Sequence, residues 1–268
     1  VDHLLRQKAP ISDAGWAQIE DEATRSLRHY LAARKLVDYS ASGDWTTSAL
    51  PLGRVSQVPT NADGVELQTR VVQPFADLRV PFQINRRELA ALDRGASDFD
   101  TDPVIAAARA AALAEDEAVL AGNPGLGIAG VGSASTNEVI SIDDSFSDFP
   151  DSVAQALDIL QEASIAGPYA MAMGPQCWTG VMESSEKGGY PLIKHLNLML
   201  DVPVVWAPSV EGALLLSQRG GDYEIRGGQD WSIGYLEHDR ETVTLYLEES
   251  IASLVNTPEA AIRFDFAQ

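Results

Sequence analysis

Between residues 65 and 84, two runs of alternating polarity, Val65-Leu67-Thr69-Val71 and Leu78-Val80-Phe82-Ile84, bracket Gln73-Pro74-Phe75. Residues two apart on a strand share a face, so the pattern predicts a long strand pair with an irregular tip. A two-stranded ribbon is barely stable alone in water and needs another surface over its apolar face. Any fold open to this chain must supply that surface, either from its own domain or from another molecule. The preceding residues 43–64 are rich in Gly, Ser, Thr, Asn and Asp and read as loop or short strand.

Elsewhere the periodicity alternates between helix and strand. Ser12 or Asp13 can cap a helix over 13–34, with Trp16, Ile19, Ala23, Leu27 and Tyr30 as its apolar stripe. Glu20, Glu22, Arg25 and Arg28 fall on the other side, as on a surface helix packed on its own domain. Asp102-Pro103 predicts a helix start and Gly122 its end. Many alanines in that helix allow close approach of other elements. Its acids Glu115, Asp116 and Glu117 sit at consecutive positions, point in different directions, and read as solvated or interface charges. Residues 130–222 read as a compact α+β unit with strands at 139–142, 169–173, 204–206 and 214–216, and helices at 152–163 and up to Leu200. A strand at 242–248 and an apolar run at 251–255 complete the chain, which has no internal repeat.

A chain of 268 residues can bury a substantial core in one large or two modest domains. Its 39 acidic and 19 basic residues give a formal charge of −20, and no Lys/Arg run exceeds two. Such a surface repels phosphate backbones, which argues against nucleic-acid binding. A single cysteine, Cys177, excludes an intrachain disulfide. With no stretch near the roughly 20 apolar residues of a membrane span, and no leader pattern at VDHLLRQKAP, the chain reads as soluble and cytoplasmic.

No catalytic constellation emerges. Gly125-Leu-Gly127-Ile-Ala-Gly130 fits G-x-G-x-x-G literally, but it follows a helix instead of joining a strand to one, so it reads as a loop. The histidines at 3, 29, 195 and 238 are scattered, and none stands in an E-x-x-H spacing of the kind di-iron bundles use. Cys177 beside Trp178 reads as a small buried apolar residue. The expectation is no catalytic residue, no metal site and no cofactor.

The most particular local order lies in residues 206–249, WAPSVEGALLLSQRGGDYEIRGGQDWSIGYLEHDRETVTLYLEE. An apolar run enters a Gly220-Gly221-Asp222 turn, a second break follows at Gly227-Gly228, and Trp231 and Tyr235 precede a strand in which Val243, Leu245 and Leu247 face one way. Together with APISDAGWAQIEDEATRSLRHYLAARKLVD at 9–38, this resembles the encapsulins, shell proteins of bacterial and archaeal nanocompartments. The resemblance runs from about residue 4 to 264 and is most specific at Gly220–Tyr235.

That resemblance implies an α+β fold like the major capsid protein of tailed bacteriophages. A peripheral domain would take residues 1–44, 86–129 and 223–268, an extended E-loop 45–85, and an axial domain 130–222. It implies self-assembly of about 60 copies, or a multiple, into an icosahedral shell. Cargo enzymes, dye-decolourising peroxidases or ferritin-like iron-storage proteins, would dock through C-terminal peptides. The groove candidates are Leu27, Tyr30, Leu31, Arg34 and Asp38 with Ile233 and Tyr235; an Arg34–Asp38 pair at a helix end is the competing role for those two. Glu183, Ser184, Ser185, Glu186, Lys187, Gly188, Gly189 and Tyr190 would ring a five-fold pore, unless they form an ordinary surface loop. Arg86-Arg87 stands where some relatives carry an aromatic associated with flavin, so no flavin is expected. A phage-type capsid protein is the rival within the fold, and a soluble hydrolase or bacteriocin the rival outside it.

Overall fold

A computed structural model describes residues 3–41, 43–185, 189–200 and 202–267. The helix α1 (Asp13–Tyr30) starts as expected, with the Ser12 hydroxyl accepting from the Gly15 amide at 3.1 Å. It stops four residues short of the expected end. The Asp116 carboxylate takes the amides of Ala32 and Ala33, at 2.7 to 3.0 Å, which in a continuing helix would bond back to the preceding turn. The chain then crosses a short 3-10 turn into β1 (Asp38–Ala41).

The ribbon differs from expectation. β2 (Ala49–Val58) pairs antiparallel with β3 (Leu67–Pro74), while β4 (Ala76–Asn85) leaves the ribbon and pairs along ten residues of β13 (Thr242–Val255). Gln73-Pro74-Phe75 is therefore the step from ribbon into sheet, not a hairpin tip. The true turn lies near Gly64, whose φ of +75° suits glycine. β2 escapes a period-2 reading because Pro51 and Gly53 sit where the register slips, between Pro51 and Arg54.

From β4 the chain enters α2 (Arg86–Asp93) and α3 (Asp102–Asp116). Thr101, not Asp102, occupies the cap position of α3, and a π turn at 117–121 carries it to Gly122 at φ +94°. The small strands β5 (Gly122–Asn123) and β6 (Ile128–Ala129) form a hairpin holding the glycine-rich stretch. No helix follows it, and a Cβ on Gly130 would fall 2.2 Å from backbone at 121–122, so tight backbone contact explains those glycines.

Next come β7 (Ile140–Ile142), α4 (Phe149–Glu162), β8 (Tyr169–Met173), α5 (Pro175–Glu183), α6 (Leu192–Met199), β9 (Val205–Trp206) and β10 (Ala213–Ser217). These strands join in the order β7, β14, β10, β8, β9, where β14 (Ala261–Phe266) is the last strand of the chain. The other large sheet runs β1, β11 (Tyr223–Gly227), β13, β12 (Ser232–His238), with β4 on the far edge of β13. The end of the chain thus returns to the second sheet, so residues 223–268 divide between the two. The strand expected at 242–248 and the apolar run after it are one fourteen-residue strand.

One core lies between the first sheet and α1 and α3, built from Ile19, Leu27, Leu31, Phe82, Ile84, the α3 alanines, Ile233 and the 243/245/247 face of β13. The larger core surrounds the second sheet, where all of β8 and β10 is buried. Gly234 explains part of the Ser232–Tyr235 pattern. It stands opposite Tyr246 on β13, and an added Cβ would meet the tyrosine ring at 2.1 to 2.6 Å. The Arg79 guanidinium lies 4.3 Å from that ring centroid and limits its retreat. Gly234→Ala is expected to destabilise the fold by about 1–3 kcal/mol, as overpacking does. Chemical unfolding of Gly234→Ala, Tyr246→Val and the double variant checks this: the alanine's cost should shrink in the double variant.

Candidate functional site

The residues expected to form the groove lie at the end of α1, at the start of β1 and on β12, and the polar ones among them make defined contacts within the protomer. Arg34 donates from Nε and Nη2 to Glu115 at 2.7 and 2.9 Å, from Nη2 to Glu249 at 2.6 Å, and from Nη1 to Asp230 at 2.7 Å. The Trp231 indole adds a bond to Glu115 at 2.8 Å, and the Tyr39 ring stacks 4.3 Å from the guanidinium. Arg34 therefore clamps α1's end to α3, β13 and the entry of β12. It does not pair with Asp38, whose carboxylate accepts from the Gly221 amide at 2.7 Å.

This corrects the reading of the 115–117 acids. Glu115 and Asp116 are fully buried and only Glu117 faces outward. Glu22 also leaves the polar face of α1: it is buried, accepts from Ser26 at 3.0 Å and pairs with Arg25. Around Arg34, three carboxylates face one guanidinium. Burial works against the Arg34 charge, but bonding and attraction to Glu115, then Glu249 and Asp230, hold its pKa above the ordinary value. Burial, reinforced by Glu115, pushes the Glu249 carboxyl well above the usual carboxylate range. Burial raises Tyr39 to about 12.

The apolar candidates are also largely committed to the core. Leu27, Leu31 and Ile233 retain 8, 7 and 5% exposure, so they offer a ligand little area. Tyr30 and Tyr235 are half-buried and remain available, with Arg109 5.6 Å over the Tyr30 ring and His238 Nδ1 2.6 Å from the Tyr235 hydroxyl. The resemblance placed all seven candidates at the end of α1 or on β12; it could not separate those facing the core from those facing out. Asp230 and Trp231 escaped the residue reading because their partners lie 196 and 116 positions away.

In the loop at 183–190, Glu183 ends α5 and Ser185 bridges Pro191. The Leu192 amide donates to the Ser184 carbonyl at 3.1 Å, closing the loop's base. Gly189 has a φ of +76° and Tyr190 is 44% exposed, while Glu186, Lys187 and Gly188 lie outside the described residues. Among the described residues, no group of three His, Cys, Asp or Glu is placed to hold a metal, and no helix is long and apolar enough to cross a membrane. Cys177 is buried, and burial pushes its thiol up to about 12. The ribbon of β2 and β3 stands uncovered, with Leu52, Val55, Val58, Leu67 and Val72 all exposed.

Asp116 yields a pH prediction. Burial raises its pKa from 3.8 to about 7, against the two amide bonds that lower it. A carboxyl raised on folding stabilises the native state fully below its unfolded pKa and loses that contribution as pH rises through the folded value. Stability measured by urea unfolding should therefore fall between about pH 4 and pH 7. In Asp116→Asn, which keeps an acceptor for Ala32 and Ala33, the decline should be shallower; an unchanged slope counts against the assignment.

Residues 1–252 match the family Linocin_M18, described as "Encapsulating protein for peroxidase". The chain is 44% identical to the type 1 encapsulin shell protein of Rhodospirillum rubrum, over 98% of this chain and 96% of that one. It is 38% identical to the type 1 encapsulin shell protein of Mycobacterium tuberculosis, over 98% of each. Among solved structures, it resembles the virus-like particle of Pyrococcus furiosus (TM-score 0.64, 17% identity, 92% of this chain and 97% of that one). It also resembles Gordonia phage Cozz (TM-score 0.59, 12% identity, covering 89% and 87%). The fold is that of phage capsid proteins, and the chain belongs to the encapsulin shell-protein family.

Proposed function

We propose that this chain is a non-catalytic protomer that closes with about 60 copies of itself, or a multiple, into a hollow icosahedral shell. The observation that carries the reading is the β2–β3 ribbon. Val55 is 50% exposed and Val72 46%, on a two-stranded element that the rest of the protomer meets at its base, through Gln73 and Gly127, and leaves largely open among the described residues. A ribbon of this kind gains its stability from a surface it meets elsewhere, and a neighbouring copy supplies one. In this reading β2 and β3 form the E-loop, the first sheet with α1 and α3 the peripheral domain, and the second sheet with its helices the axial domain. The particle is cytoplasmic.

The contents of such a shell are enzymes captured by short C-terminal peptides. The name of the matched family, an encapsulating protein for peroxidase, favours a peroxidase cargo, and a ferritin-like iron-storage protein is the second class. The peptide's seat is the half-exposed surface around Tyr30 and Tyr235, beside the Arg34 clamp. Apolar side chains resting there gain about 25 cal/mol per Å² removed from water. The 183–190 loop, repeated around a five-fold axis, tunes ion entry through Glu183 and its neighbours.

Four outcomes test this reading. Size-exclusion chromatography with negative-stain imaging should show a megadalton shell for the native chain. Val55→Asp, a change at a site already open to solvent, should leave secondary structure intact and block closure; intact Val55→Asp shells would remove the ribbon's role. Co-purification of a tagged cargo should drop in Tyr30→Asp shells, and undiminished loading rejects the seat. Replacing 183–190 with Gly-Ser repeats should alter cargo-linked iron(II) uptake by intact shells; unchanged uptake dismisses the pore assignment.

A further inference from the structure

A cavity of about 470 Å³ opens between the end of α3, the segment leading into β10, and β14. Leu113, Leu120, Val210 and Leu214 give it an apolar floor. Its size falls within the range of small-molecule pockets, about 300–1,000 Å³, and the joint between packed layers is where such pockets form. The wall on the helix side is the π turn at 117–121, an irregularity common at functional sites. That turn is held open from outside: the carbonyls of Val119 and Leu120 accept the amides of Val131 and Gly132, at 2.9 and 2.8 Å. The charges around the cavity are unequal, with three carboxylates against one guanidinium. Arg263 is already paired with Asp265. Glu117 and Glu211 are exposed at the rim, and neither carboxylate has a hydrogen-bond or ion-pair partner among the described residues. The Ser209 hydroxyl, buried in the wall, has no partner among them either.

We propose that this cavity binds a small organic cation, its apolar body on the leucine and valine floor and its ammonium group at the Glu117 and Glu211 carboxylates. Removal of the apolar body from water supplies most of the affinity, because the two carboxylates stay in contact with solvent. Their part is selection: they attract a cation, leave a neutral body of the same shape to the floor alone, and repel an anion. The Ser209 hydroxyl offers a partner to one polar atom of the body. A ligand seated here touches the end of α3 and the strands of the second sheet together, so it ties the helix to that sheet and stabilises the folded chain by mass action. The site is independent of what a shell encloses.

The test is calorimetric titration of the purified full-length protein, as it assembles, with three probes of one shape: tryptamine, the neutral 3-ethylindole and the anionic indole-3-propionate. Tryptamine should saturate and bind about ten-fold tighter than 3-ethylindole, and indole-3-propionate should not bind. The double variant Glu117→Gln, Glu211→Gln should lose that ten-fold advantage and keep the affinity for 3-ethylindole. Ala121→Phe, at an exposed position on the cavity's edge, should abolish binding of both. A chain of charge −20 attracts any cation, so Asp158→Asn, Glu162→Gln, exposed on α4, removes the same charge elsewhere and should leave tryptamine binding as it was. No saturable tryptamine binding, equal affinity for the three probes, equal losses in the two double variants, or binding that survives Ala121→Phe would each overturn the proposal.

Discussion

The strand β13 is the constraint on which the rest of the structure depends. Over fourteen residues it bonds to β4 along one edge and to β12 and then β11 along the other. Its odd positions from Val243 to Leu247 complete the core beneath α1 and α3, and Ile251 continues into the larger core. Between them, at the same phase, stands Glu249, a carboxylate in line with leucines. That position is tolerable only because Arg34 arrives from the turn after α1 and shares its guanidinium between Glu249, Glu115 and Asp230. The ion pairs tie together elements separated by as many as 215 residues in the chain. Removing either partner alone would leave a buried charge uncompensated, which costs far more than the pair contributes.

Local order was the legible part of the sequence. The start of α1, the Ala-rich α3 with the π turn that carries it to Gly122, and the buried strands at 169–173 and 214–216 follow from capping, periodicity and apolar runs, and they stand within a residue of where those signals put them. Partnership was not legible. The runs at 65–71 and 78–84 alternate as hairpin strands should, but β4 finds more to pair with on β13 than on β3. Nothing within twenty residues of β4 reveals that preference. The same limit explains Glu115 and Asp116: consecutive acids on a helix look solvated until the turn that buries them, carrying both Arg34 and the amides of Ala32 and Ala33, is known.

The glycine-rich block at 220–235 was the most distinctive feature of the sequence, and its distinctiveness has a geometric cause. Gly220 and Gly221 take φ values of +89° and +82° where the chain passes from the second sheet to the first. Asp222 then anchors the crossing: Arg219 binds its carboxylate at 2.9 Å through two nitrogens, and the amides of Asn256 and Thr257 bond to its carbonyl. The return crossing from β13 to β14 thus leans on the outgoing one. A block that must turn twice with positive φ, bury a paired acid and leave room for Tyr246 over Gly234 admits few residues at each position.

Charge bears on how such protomers come together. At −20 per chain, copies repel one another at long range, so contacts between them must draw on surfaces whose local sign or polarity differs from the average. The paired strands of the ribbon are such a surface. β2 and β3 carry Arg54 and Arg70 and no acidic residue, alongside the exposed valines and leucines. With Asp63 and Glu66 in the turn between them the arm is formally neutral, so in the proposed shell it meets the acidic bulk of a sister molecule without net repulsion and apolar burial supplies the contact. The acidic remainder keeps unassembled chains apart everywhere else. Attraction restricted to one extended element favours a few defined contacts over indiscriminate association, which a closed shell of identical units requires.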